Sequence, residues 1–136
     1  MAMLSVELVT PERHLLDEAN IDMVIAPGVD GQFAVLPNHA PLITELQAGV
    51  LVLRRNDSDQ LLAISGGFFE VLRDKITVLA DASERSTEID LERAQKARDR
   101  ALRELAAPIE PGEAIRARIA LLRSIARIRA AERAGR

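Results

Sequence analysis

The sequence predicts an α+β protein: a small all-β unit, a sandwich or barrel, followed by an antiparallel helical hairpin. Three observations carry this. Short apolar runs, several alternating with polar residues, fill the first 80 or so positions. Turn formers separate these runs at close intervals. Near residue 84 the pattern turns helical and the charge reverses: residues 1–84 carry a balance of −8 and residues 85–136 one of +5, within a net −3. Such a split suggests two parts with different jobs, 1–84 and 85–136.

In chain order, Leu4, Val6 and Leu8 alternate with Ser5 and Glu7, and Ile21, Met23 and Ile25 alternate with Asp22 and Val24. Phe33 to Leu36, Val50 to Leu53, Leu61 to Ile64, Phe68 to Leu72 and Ile76 to Leu79 follow as short apolar runs, some suited to burial on both sides. Pro27-Gly28, Asp30-Gly31, Pro37-Asn38, Asn56 to Asp59, Gly66-Gly67 and Arg73-Asp74 supply the turns. Many short strands with regular turns indicate a sandwich or barrel.

Ser83 to Thr87 offers helix caps, and Glu88, Asp90 and Glu92 suit the positive end of a helix dipole. Ile89 to Ala106 contains no Gly or Pro, and Leu91, Ala94, Ala101 and Leu105 form a helical stripe. The segment 107–112, with Pro108, Pro111 and Gly112, breaks the helix. A second helix is expected from about Glu113 to Glu132, with Ile115, Ile119, Leu122 and Ala126 on its contact stripe and Leu121, Ile125 and Ile128 beside it. A seam so rich in Ala buries little apolar area, so the hairpin is only marginally stable alone.

Composition narrows the function. The chain has no Cys, which removes disulfides, thiolate metal sites and a Cys nucleophile. Two His, His14 and His39, are too few for a His-based metal cluster. Three Phe and no Trp or Tyr make a base-stacking surface a poor fit, and the acidic β unit opposes a nucleic-acid module built on the basic tail. No signal peptide and no run of ~20 apolar residues is seen, so direct membrane insertion is not expected. There is no nucleophile elbow or P-loop, and no complete constellation forms around His39 or Asp81. His39, between Pro37 and Pro41, reads as a ring bonded to its loop backbone or as a partner contact.

One cluster points to chemistry. Asp90 and Arg93 share a helix face, as do Arg116, Arg123 and Arg127. In an antiparallel hairpin Arg93 could face that row, and converging guanidiniums beside a carboxylate suit a triphosphate with its adenine or ribose. Solvated helix faces with ordinary ion pairs are the competing reading.

The run Ala26 to Leu42, the segments Ile64 to Val71 and Ile76 to Asp81, the opening Leu4 to Pro11 and the helix entry Glu84 to Ala94 together resemble the epsilon subunit of bacterial F-type ATP synthase. The resemblance covers essentially the whole chain. It implies a ten-stranded β-sandwich over 1–84 that docks on the stalk and c-ring, and a regulatory two-helix hairpin over 85–136. It implies a non-catalytic central-stalk subunit, contacting the gamma subunit and the c-ring and, with the hairpin extended, the alpha/beta hexamer. Its place would be peripheral, on the cytoplasmic face of the plasma membrane. No cofactor is required, and ATP is implied as a regulatory ligand of the folded hairpin, whose extended form blocks hydrolysis.

The resemblance assigns the nucleotide to Glu84, Ile89, Asp90, Arg93, Ala94, Arg123 and Arg127, and partner contacts to Gln32, His39, Ser65, Gly67 and Phe68. On this reading Gly67→Val weakens assembly and spares the fold. Two departures stand out. Gln32 replaces a Glu of some relatives in the loop facing the c-ring, and Pro108 and Pro111 prevent one continuous helix on extension.

Overall fold

The computed structural model describes residues 3–135. Eight strands come first: β1 (Leu4–Val9), β2 (His14–Ile21), β3 (Met23–Gly28), β4 (Gly31–Val35), β5 (Leu42–Arg55), β6 (Ser58–Leu72), β7 (Lys75–Ala80) and β8 (Ser83–Arg85). A single 3-10 turn, Ser86–Glu88, leads to helices α1 (Leu91–Ala106) and α2 (Pro111–Ala134). The strands pair in the order β2-β1-β7-β6-β5-β3-β4, with β8 on β6, and only β1 and β7 are parallel.

The strand count is eight and not ten because β5 and β6, of 14 and 15 residues, each run the length of the sheet. They keep one register throughout, and the ladder skips only Gln47 and Gly66, between Leu46↔Gly67 and Ala48↔Ser65. Divided at that skipped pair, beside the positive-φ Gly66 and Gly67, each would count as two. The sheet folds over itself there, and one core joins both halves. Leu4, Val6, Leu8, Ile76 and Val78 from one half pack with Leu51, Leu53, Leu62 and Ile64 from the other. Phe69 is fully buried, with Phe33 edge-on at 5.0 Å.

Two expected patterns are corrected. In β3 it is Val24 and Ala26 that are buried, while Met23 and Ile25 are only half-buried. The corner at Asp22 resets the alternation that began at Ile21. In α2 the expected stripe holds only at Ala126: Ile115, Ile119 and Leu122 face solvent, and Ala117, Ser124, Ala126, Ile128 and Ala130 are the buried positions. Apolar residues surround this helix, so periodicity alone does not select the packed face.

The second helix covers the back of the sheet. Val50 to Leu53 and Leu61 to Ile64 therefore present one set of side chains to the sandwich core and the other towards α2. There a small cluster forms from Ala63, Ala126 and Ala130, with Val50 and Ile89 partly buried against it. The seam between the helices is equally small-chained, with Ala94 and Ala101 of α1 and Ala117 and Ser124 of α2 buried. Pro111 sits in the first turn of α2, where a missing N–H costs nothing.

Candidate functional site

The chain leaves the sheet at β8, makes one 3-10 turn and enters α1 through Ile89 and Asp90. Asp90 is the N-cap: its Oδ1 accepts from the Arg93 N–H at 3.1 Å. The cap candidates Ser83 to Thr87 belong instead to β8 and the 3-10 turn. This entry fixes Arg93 and Ala94 on the first turn of α1, beside the middle of α2.

A cleft of about 250 Å³ results, lined by Glu84, Glu88, Ile89, Asp90, Arg93, Ala94 and Arg127. Arg123 lies one turn earlier in α2 and lines an adjoining cleft of about 220 Å³ with Arg13, Ser65 and Ser83. Glu84 and Arg127 border both. The seven residues assigned to a nucleotide thus surround two contiguous hollows. The Arg127 Nε lies 2.9 Å from Glu84 Oε1, an ion pair that lies off the line of the N–H bond. Glu88 is held by Arg85 at 3.3 Å and by Arg13 at 3.9 Å. Arg93 and Arg123 are exposed and make no ion pair among the described residues. An apolar wall of Ile89 and Ala94, a half-occupied carboxylate at Asp90 and three guanidiniums can receive a flat base and a polyanion.

The residues assigned to partners separate. Gln32 and His39 border one shallow hollow, beside Phe33 and Leu42. His39 Nδ1 is 2.6 Å from the Ala40 carbonyl, so the ring bonds its own loop. Phe68 is 55% exposed, paired across strands with Leu79 at 53%, and Ile43 on β5 is 73% exposed. They lie on one open face, interspersed with the exposed Glu45 and Glu70 that pair with Phe68 and Ile43.

Ser65 and Gly67 lie away from that open face. Ser65 is half-buried and lines the clefts under α2, with its Oγ buried. Gly67 is buried at φ +131, and a Cβ there would stand 2.1 Å from the Leu79 carbonyl oxygen. The glycine serves the close approach of β6 to β7 at Leu79 and Ala80.

Two groups have no signal in the local sequence. Arg13 reaches the cleft from the β1–β2 turn, and no local spacing relates it to residue 123 or 127. Glu7, His14 and Asp17 bring ligand atoms within 4.8 Å of one another on the β1–β2 hairpin. A register shift after Leu8↔Leu16 turns Leu15 and Leu16 both inward, which puts His14 and Asp17 on one outer face.

Two family models match. The ATP synthase delta/epsilon chain β-sandwich domain covers residues 3–86, and the long α-helix domain of the same chain covers 87–132. The ATP synthase epsilon chain of Moorella thermoacetica is 49% identical over 132 residues, 96% of this chain and 98% of the relative. That of Syntrophobacter fumaroxidans is 45% identical over 130 residues, 96% of each. Among solved structures, a chain of the Euglena gracilis mitochondrial ATP synthase (OSCP/F1/c-ring) matches at a TM-score of 0.82 and 22% identity. It covers all of this chain and 83% of that one.

Proposed function

The chain belongs to the ATP synthase delta/epsilon family, and from that premise we propose that it is a non-catalytic subunit of the central stalk whose hairpin senses ATP and restrains hydrolysis. A solved neighbour at a TM-score of 0.65 is described as central stalk and c-ring of a Tetrahymena mitochondrial ATP synthase, which supports a place between the head and the c-ring. No helix among the described residues is long and apolar enough to cross a membrane. A peripheral position on the cytoplasmic face fits this reading. The open face of Phe68, Leu79 and Ile43 suits the gamma subunit, and the hollow of Gln32 and His39 suits the c-ring.

The observation that carries ATP sensing is the convergence of Glu84, Ile89, Asp90, Arg93, Ala94 and Arg127 on one cleft that exists only while the hairpin is folded. Its walls come from β8, α1 and α2, so lifting α2 dismantles it. The hold of α2 on the sheet is a small cluster of alanines, and each methyl is worth under ~1 kcal/mol. Folded and extended forms then differ by a few kcal/mol, within the range a ligand shifts by its differential affinity. End to end, α1 and α2 span about 60 Å at 1.5 Å per residue, enough to reach from the stalk into the alpha/beta hexamer. The hinge at 107–110, with Pro108, allows extension as two helices.

Calorimetry tests the site: ATP binds the isolated chain, and Arg93→Ala and Arg127→Ala each weaken it about ten- to hundredfold. If millimolar ATP neither binds nor raises the melting temperature, the chain is a structural stalk subunit without nucleotide sensing.

A further inference from the structure

Resting on that nucleotide reading, we propose that the sandwich itself holds the terminal phosphates of the ligand, through Arg13, Ser65 and Ser83 in the cleft that adjoins Arg123 and Arg127. The first observation is a set of orphaned atoms. Among the described residues the buried side-chain polar atoms without a hydrogen-bond partner are Ser65 Oγ, Ser83 Oγ and Glu84 Oε1. All three belong to residues lining this one cleft. Buried polar atoms are rarely left unpaired, because each forfeits its bonds to water. Two unused hydroxyls in one hollow call for an acceptor, and phosphate oxygens are acceptors.

The second observation is charge. Arg13, Arg123 and Arg127 line the cleft against the single carboxylate of Glu84, which already faces Arg127 Nε at 2.9 Å. The balance is cationic, and Arg13 is held only loosely, 3.9 Å from Glu88. The third is placement. β8 lies on β6 with Ser83 opposite Ile64, and the Ser65 N–H donates to the Ala82 carbonyl at 3.0 Å. Both hydroxyls therefore sit on one patch of rigid sheet, fixed where β6 turns through Gly66 and Gly67.

Because Glu84 and Arg127 border both clefts, a ligand with its base against Ile89 and Ala94 passes Arg127 and ends among Arg123, Arg13 and the two serines. Such a ligand clamps α2 to the sandwich as well as to α1. The sandwich then takes a direct part in sensing, and the length of the phosphate chain decides how firmly the hairpin is held.

The test uses the full chain, with inorganic tripolyphosphate, adenosine and ATP as separate calorimetric probes. Tripolyphosphate binds the wild type, and Arg13→Ala and the double change Ser65→Ala with Ser83→Ala each weaken tripolyphosphate and ATP about tenfold, leaving adenosine unchanged. Asp90→Asn, which keeps a good helix cap, weakens adenosine and ATP and spares tripolyphosphate. Without ligand the double serine variant melts no lower than the wild type, since it loses only unpaired hydroxyls. Wild-type affinity for ATP and tripolyphosphate in both sandwich variants overturns the phosphate subsite and leaves the nucleotide reading standing. Failure of the wild type to bind either ATP or tripolyphosphate overturns both.

Discussion

Arg127 of α2 places its Nε 2.9 Å from Oε1 of Glu84 in β8, and among the described residues this is the ion pair that joins the second helix to the sheet. Both side chains are about one-third to one-half exposed, at 44% and 32%, so the pair contributes only ~0–1 kcal/mol. Its importance is geometric, since it stations a guanidinium at the border of two clefts. A double-mutant cycle of Glu84→Gln and Arg127→Gln on thermal unfolding should give a coupling below about 1 kcal/mol. A coupling of several kcal/mol would mean that this pair, and not the alanine cluster, holds the hairpin down.

Gly67 is the position where the sandwich tolerates least. A side chain there meets the Leu79 carbonyl oxygen at 2.1 Å and the Ala80 Cα at 2.8 Å, in a backbone at φ +131. Gly67→Val should therefore cost more than about 3 kcal/mol, a loss seen as a large drop in melting temperature. A variant that melts like the wild type and fails only in assembly would restore the docking role that the sequence suggests for this residue.

Asp59 offers a pH test. A hydrogen bond from Arg54, with Nε at 2.8 Å and Nη2 at 3.0 Å, holds the Asp59 carboxyl below the usual carboxylate range, against a smaller opposing effect of burial. A lowered folded-state pKa adds stability above the ordinary value of about 4, and that increment disappears as pH falls through the folded value. NMR titration should find Asp59 ionised below its unfolded range and returned to it by Arg54→Gln. An unshifted Asp59 in the wild type would contradict the bidentate pair.

Local and distant information divide cleanly in this chain. The strands Leu4–Val9 and Lys75–Ala80 alternate and are legible from the sequence, whereas β2 is not, because Leu15 and Leu16 are both buried and break the period-2 pattern. The motif from Ile89 to Ala94 is local, and its placement on a helix entry follows from Asp90 as a cap. Helical spacing puts Arg123 and Arg127 opposite it. Arg13, Ser65 and Ser83 carry no such signal, since they reach the cleft only through the pairing of β8 with β6 and the turn after β1. Ser65 and Gly67 invite a surface role as part of a glycine turn, and the close approach of β7 that buries Gly67, like the burial of Ser65 Oγ, is a tertiary fact.

The most direct measurement of the proposed restraint is the ATPase rate of the soluble complex with and without residues 89–136. The core of Leu4, Leu8, Phe69 and Ile76 lies wholly outside that segment, and at the sheet the deletion uncovers Val50 and Ala63, which pack against Ile89 and α2. The shortened chain should therefore fold and assemble, and the hydrolysis rate should rise. An unchanged rate in a fully assembled complex would contradict the regulatory role and leave a purely structural subunit of the stalk.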